Sequence, residues 1–131
     1  MNNVIESMKA LNFFSPGEPA DSAEISIAEQ ELGLTFAEDY KAYIAAFGAM
    51  DAYGIELTGI IDDERLHVVS ATKDAWEFHT HVPHSFYLLE DATIDGILIW
   101  QDSSGSVYKS TPGQQPEKIC SSLEEYLNYN R

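Results

Sequence analysis

Three histidines stand close together as His79-x-His81-x-x-His84, with Glu77 and Glu90 nearby. Imidazoles and carboxylates are the groups that bind zinc or move protons near neutral pH. A zinc site draws ligand pairs from two structural elements at set spacings, whereas Pro83 interrupts this stretch and neither a cysteine nor a second ligand pair is in reach. The histidines read as exposed loop residues, some bonding backbone carbonyls, and neither a metal nor a cofactor is expected. Nucleophilic catalysis needs a Ser, Thr or Cys beside a base, and Gly-x-Ser-x-Gly does not occur. Ser103-Ser104-Gly105-Ser106 reads as ordinary turn chemistry. Cys120, the single cysteine, adjoins Ile119 and reads as a buried small hydrophobe. Acids are so numerous that no pair marks itself out as general acid and base. A phosphate cradle of the Gly-x-Gly-x-x-Gly or Walker type is missing, and Lys9, Lys41, Arg65, Lys73, Lys109, Lys118 and Arg131 are few cations for clamping a phosphate. No catalytic residue is expected.

Charge sign is the stronger signal. Seven Lys+Arg face 22 Asp+Glu, giving a net charge of −15 and a pI near 4.3. Such a field disfavours DNA, RNA and anionic lipid and favours a basic partner. The acids are spread along the chain, from Glu24, Glu29, Glu31, Glu38 and Asp39 to Glu90, Asp91, Asp95 and Asp102. One reading is a solvated surface that keeps the chain in solution. The sharper reading is an acidic face that docks a basic protein, with steering that weakens in salt; nuclease surfaces, which attract phosphate, are one such target. The 131 residues match one average domain with ordinary apolar content, 44%. Apolar runs such as Gly96-Ile97-Leu98-Ile99-Trp100 fall far short of the roughly 20 residues that span a bilayer. With no leader pattern in Met1-Asn2-Asn3-Val4-Ile5-Glu6 and no disulfide pair, a reducing, cytoplasmic setting is expected.

The elements that must carry this charge follow from periodicity. Val4, Ile5, Met8 and Leu11 predict a helix over 2–12, and the prolines and glycine of 15–21 a loop. Ile25, Ala28 and Leu32, with Gly33 as the stop, predict a helix over 22–32. Thr35-Phe36-Ala37-Glu38 fits a capping box opening a helix with Phe36, Tyr40, Tyr43, Ile44 and Phe47 on one face and Gly48 at its end. Alternation then predicts a strand near 54–61, a turn at Asp62-Asp63-Glu64 and a helix over 70–79. Residues 85–89, 96–101 and 106–110 read as antiparallel strands, the last two a hairpin across Asp102-Ser103-Ser104-Gly105. A closing helix begins at Ser121-Ser122, with Glu124 or Glu125 completing a cap. The expected class is α+β, a central antiparallel sheet bracketed by N-terminal helices and a C-terminal helix.

These elements occur in an order that resembles the SMI1/KNR4 family of the SUKH superfamily. The helical signature is Ile25-x-x-Ala28-Glu29-x-x-Leu32-Gly33-Leu34, then Phe36-x-x-Asp39-Tyr40-Lys41-x-Tyr43-Ile44-x-x-Phe47-Gly48. Glu56-Leu57-x-Gly59-Ile60 is similar to its first strand, Gly96-x-Leu98-Ile99-x-x-Asp102-x-x-Gly105-x-Val107-Tyr108 to its strand-turn-strand, and Ser122-Leu123-Glu124-Glu125-Tyr126-Leu127 to its closing helix. The likeness is strongest over 22–127 within one domain spanning 1–131. Two positions depart from the pattern: Phe36-Ala37 stands where a proline opens the second helix, and Gly48-Ala49 where two glycines follow it.

The resemblance implies a non-catalytic bacterial immunity protein that binds and neutralises a cognate toxin, often a nuclease, delivered between competing cells. In fungi, similar proteins are regulatory scaffolds of cell-wall synthesis and signalling, so an intracellular adaptor is the alternative. A small hydrolase or metal protein using the histidines is a third class, which retention of stoichiometric zinc through purification would reveal. The residues expected to meet a partner are surface acids and accessible aromatics: Asp51, Tyr53, Glu56, Asp62, Asp63, Glu64, Trp76, Glu77, Glu90, Asp91 and Asp102. Tyr53 and Trp76 could equally belong to the core.

Overall fold

A computed structural model describes residues 3–129. Residue 2, the expected start of the first helix, and Arg131 lie outside the described residues. The order is α1 (Val4–Lys9), β1 (Ser15–Pro16), α2 (Ser22–Leu32), α3 (Glu38–Phe47), β2 (Met50–Ala52), β3 (Ile55–Leu57), α4 (Val68–Phe78), β4 (Tyr87–Asp91), β5 (Leu98–Gln101), β6 (Val107–Ser110), β7 (Glu117–Cys120) and α5 (Leu123–Leu127). The class is α+β. Among the described residues no helix is long and apolar enough to cross a membrane.

The expected single central sheet is instead two antiparallel sheets, β1-β2-β3 and β4-β5-β6-β7. They adjoin where the Thr58 N–H donates to the Leu89 carbonyl at 2.8 Å. The ladder stops there because the register of β4 shifts between Leu88 and Glu90, and the Glu56 N–H is taken by the Glu90 carboxylate at 2.8 Å. Besides the short β1, two strands went unseen in the sequence: three-residue β2, which makes a hairpin with β3 around Tyr53-Gly54, and β7, whose Glu-Lys-Ile-Cys shows little alternation. The proline loop contributes a short edge strand, with Ser15 opposite Asp51 and Pro16 opposite Met50, a place where a missing N–H is tolerated.

Helix α2 starts on Asp21 of the expected loop. Asp21 accepts from the Glu24 N–H at 2.8 Å, and the Glu24 carboxylate accepts from the Asp21 N–H at 3.0 Å, a complete capping box. Gly33 ends it in the left-handed conformation, as its spacing predicts. The Thr35/Glu38 box on α3 does not form. Ala37 is the N-cap, with no side-chain cap, and the orphan donors are met by other elements: the Phe36 N–H by the Glu29 carboxylate at 2.8 Å, the Ala37 N–H by the Tyr87 hydroxyl at 3.0 Å. Helix α1 ends at Lys9 rather than 12, before Phe13, a non-glycine residue at φ 61°. Helix α5 starts as expected, its Ser122 side chain accepting from the Glu125 N–H at 3.0 Å.

The main core gathers α1, α2, α3, α5 and, through Val68 and Val69, the first turn of α4. Phe36, Tyr40, Tyr43 and Tyr87 form its centre, with Phe36 to Tyr87 and Tyr40 to Tyr87 both 4.8 Å between ring centroids. A smaller cluster, Ala71, Ala75, Val82, Phe86, Leu88, Leu98 and Trp100, packs α4 against the other face of β4 and β5. Strands covered on both faces read as continuous apolar runs, which is what 86–89 and 97–100 are. The polar groups inside are matched: Tyr40 hydroxyl to Thr58 Oγ1 at 2.9 Å, Thr58 Oγ1 to the Leu88 carbonyl at 2.7 Å, Tyr43 hydroxyl to the Thr58 carbonyl at 2.8 Å, and Tyr87 hydroxyl to Gln101 Oε1 at 2.6 Å. Asp39 ties three elements, accepting from Gln101 Nε2 at 3.0 Å and from the Leu123 N–H at 2.8 Å.

Gly48 sits at φ 71°, and a Cβ there would overlap the Glu18 carbonyl; a Cβ on Gly59 would overlap the Gly48 carbonyl. Because the obstructing atoms are backbone, Gly48→Ala or Gly59→Ala should cost about 3 kcal/mol or more, read as a lowered urea midpoint. Burial holds the Tyr40, Tyr43 and Tyr87 phenols above their ordinary pKa. Since the folded-state values are raised, their contribution to stability is complete below the unfolded value of about 10 and is lost as pH climbs past it. Urea midpoints should therefore fall above about pH 10, and a Tyr40→Phe variant should lose part of that slope.

Candidate interaction surface

The β2–β3 hairpin sets Asp51 directly opposite Glu56. Two like charges across a ladder repel. The repulsion is relieved by Arg65, whose guanidinium makes two bonds to the Glu56 carboxylate, at 2.9 and 3.2 Å. Arg65 is held in turn by the Asp62-Asp63-Glu64 turn, where Asp63 Oδ1 accepts from the Arg65 N–H at 3.0 Å and Ser70 Oγ donates to the Glu64 carbonyl at 2.6 Å. Asp62, Asp63 and Glu64 are exposed and share a depression with Glu31 of α2. Asp91, exposed at the end of β4, lines a groove with Glu56 and Arg65. Glu56, Asp63 and Asp91 thus act on one arginine, while Asp51 stands across the ladder from Glu56 and Asp62 and Glu64 are exposed in the turn that leads to it.

The remaining expected residues go elsewhere. Glu90 is only 3% exposed. Its carboxylate accepts from the Tyr126 hydroxyl at 2.5 Å and from the Glu56 N–H, so it joins α5 to the seam between the sheets and is corrected out of the surface. Asp102 is spent on its hairpin, accepting from Ser104 at 2.6 Å and from the Tyr108 hydroxyl at 3.0 Å. Trp76 is half-buried, donating to the Phe86 carbonyl at 3.1 Å and stacking on His84 at 4.1 Å. Glu77 is exposed on α4. Tyr53 is 78% exposed at the hairpin tip, 6.3 Å from the Phe13 ring, itself 82% exposed.

The histidines are not the uniform exposed set that the sequence implies. His79 is buried, with Nδ1 2.7 Å from Ser110 Oγ, and desolvation lowers its pKa. His84 stacks on Trp76, His81 is exposed, and His67 accepts from the Val69 N–H to start α4. Among the described residues no three His, Cys, Asp or Glu side chains gather as a metal ion needs. Ser110 does meet an imidazole, but it is buried and also accepts from the Trp100 indole at 2.8 Å, so a substrate carbonyl has no approach. Cys120 is buried, as expected, and desolvation pushes its thiol up to about 11.

Sequence reasoning missed Arg65 as the pivot of the acids, and Asp74, Phe13 and Phe78 as exposed groups. Arg65 carried a signal, as one cation beside three acids; the aromatics carried none, since exposure is decided by tertiary packing. The surface is suited to binding cations, with carboxylates in fixed positions and aromatic rings standing in solvent. Truncating the bridging acid, Glu90→Ala, strands a buried hydroxyl and an N–H and should cost about 2–3 kcal/mol in urea unfolding, with Asp102→Ala costing less.

A family model described as SMI1-KNR4 cell-wall, of the SUKH group, matches residues 1–129. No curated protein matches the chain.

Proposed function

The chain belongs to the SMI1-KNR4 family of the SUKH superfamily, and on that premise we propose that it is a non-catalytic immunity protein that binds a cognate bacterial toxin domain, a basic nuclease, in the cytoplasm and silences it. The observation that carries the reading is the charge: −15 over 131 residues, with Glu56, Asp63 and Asp91 acting on Arg65 and Asp51, Asp62 and Glu64 exposed on the adjoining hairpin and turn. A nuclease surface must attract phosphate, so its substrate face is cationic and complementary to such a cluster. Inhibition then needs no reaction, only occlusion of the substrate surface. Asp62, Asp63 and Glu64 lie in a turn with their side chains exposed, so they can reach a partner without unfolding anything. The cell-wall association of the SMI1-KNR4 family favours a second reading, an adaptor in cell-wall or signalling regulation.

Coexpression with the polypeptide encoded beside this gene, copurification at two salt concentrations and a nuclease assay on the freed partner test the proposal. Stable equimolar binding that weakens about tenfold or more between about 0.05 and 0.3 M salt and abolishes cleavage is the expected result. Binding without any toxic activity in the partner moves the reading to the adaptor. Asp62→Lys with Glu64→Lys should slow association by about tenfold and flatten its salt dependence; an unchanged rate removes this turn from the interface.

A further inference from the structure

Between α4 and strands β3 to β5 runs a groove of about 480 Å³. It exists because α4 presents alanines, Ala71 and Ala75, to Leu88 and Leu98 of the sheet, and small side chains leave the space unfilled. Phe78 follows Ala71 and Ala75 at helical spacing, i+7 and i+3, so the same apolar face continues to the end of α4. There the sheet no longer covers it: Phe78 is 78% exposed at the groove. The ionisable rim is three carboxylates, Glu56, Asp74 and Asp91, against the Arg65 guanidinium, which is already committed to Glu56. Asp74 and Asp91 have no ion-pair partner among the described residues. His79, whose pKa burial lowers, adds no cation at neutral pH.

We propose that this groove is the seat of a basic segment of the partner protein, in which an apolar side chain enters between α4 and the sheet while flanking lysines or arginines meet Asp74 and Asp91. The inference rests on the immunity reading for the partner's basic character, and it places the anchoring contact on a face that includes Asp74 and Phe78 rather than on the Asp62-Asp63-Glu64 turn. The apolar floor supplies desolvation, the unpaired acids supply the preference for cations, and Phe78 can cover the aliphatic stems of the cations.

The test is a titration of the isotopically labelled full chain with a capped ten-residue peptide carrying Leu and Phe between lysines, followed by amide chemical shifts. Two control peptides replace the lysines by glutamate, or the Leu and Phe by serine. The expected result is saturable binding with the largest shifts at Ala71, Ala75, Phe78 and Gly96, and weaker binding of both controls. Asp74→Lys with Asp91→Lys, and separately Phe78→Ser, should each weaken the peptide about tenfold, and all three sites are exposed, so the fold should persist. Absence of saturable binding, shifts centred elsewhere, or indifference to both variants overturns the groove. Concentration-dependent shifts of the same amides in the free protein assign the groove to a second copy and also overturn it. Peptide binding in the groove alongside a gene neighbour that is neither bound nor silenced leaves the groove standing and removes the immunity reading. A neighbour that is silenced equally well by the groove variants removes the groove alone.

Discussion

A single threonine hydroxyl joins the three parts of this molecule. Thr58 Oγ1 gives its proton to the Leu88 carbonyl, so the Tyr40 hydroxyl must donate to it, while the Thr58 carbonyl accepts from Tyr43 and its N–H reaches Leu89. Helix α3 is thereby fixed over the seam where the two sheets meet, and every donor in the arrangement has one available acceptor. An apolar residue of similar shape at 58 would leave the Tyr40 hydroxyl and the Leu88 carbonyl without this partner in a dry interior. The remaining polar ties act at the edges of that seam: Glu90 brings α5 to β3, Tyr87 satisfies the start of α3, and Asp39 holds Gln101 and the first turn of α5. Among the described residues no buried side-chain nitrogen or oxygen lacks a partner.

This interior explains where the surface charge collects. With the main core on one face of β4 and β5 and the cluster under α4 on the other, these two strands have little polar face to offer. Apart from the buried Glu90, acids are left to turns, strand ends, the short β2–β3 hairpin and the outer faces of the helices. The turn before α4 and the β2–β3 hairpin meet at the edge of the second sheet, so acids distant in sequence become neighbours there. Arg65 permits this density, since without it Asp51 and Glu56 would face one another across a ladder with no compensating charge.

Local chemistry was legible in the sequence; long-range satisfaction was not. Gly33 and Gly48 as helix ends, the helical faces of α2 and α3, the β5–β6 hairpin and the Ser122 cap all follow from residues within a few positions of each other. The Thr35 box failed because Glu29 and Tyr87, one of them 50 residues away from Ala37, serve the start of α3 instead. Strand β2 escaped because three residues give no period, and its pairing is set by the hairpin with β3. For the surface, exposed acids were readable from composition, but Glu90 looked like the rest: its burial depends on Tyr126, which sits 36 positions on. Phe78 shares the spacing of the buried Ala71 and Ala75 on α4, so its exposure is set by where the sheet ends and not by the sequence around it.

The crossing of Gly48 and Gly59 has a consequence for how this protein can change. The Ile60 N–H donates to the Gly48 carbonyl at 2.8 Å, so the chain from 48 to 60 closes at a neck of main-chain atoms, while Met50, Ile55 and Leu57 pack its body into the core and Thr58 ties it to α3 and β4. The neck demands glycine at two places and is indifferent to the chemistry of the solvent-facing positions beyond it. Asp51, Tyr53 and Gly54 at the far end are exposed. Substitutions at Asp51 and Tyr53 can therefore change the chemistry of that tip while the neck is kept, whereas Gly54, at φ 79°, is held to glycine by its own backbone. Change is easier there than in the groove beneath α4, whose walls are also the core.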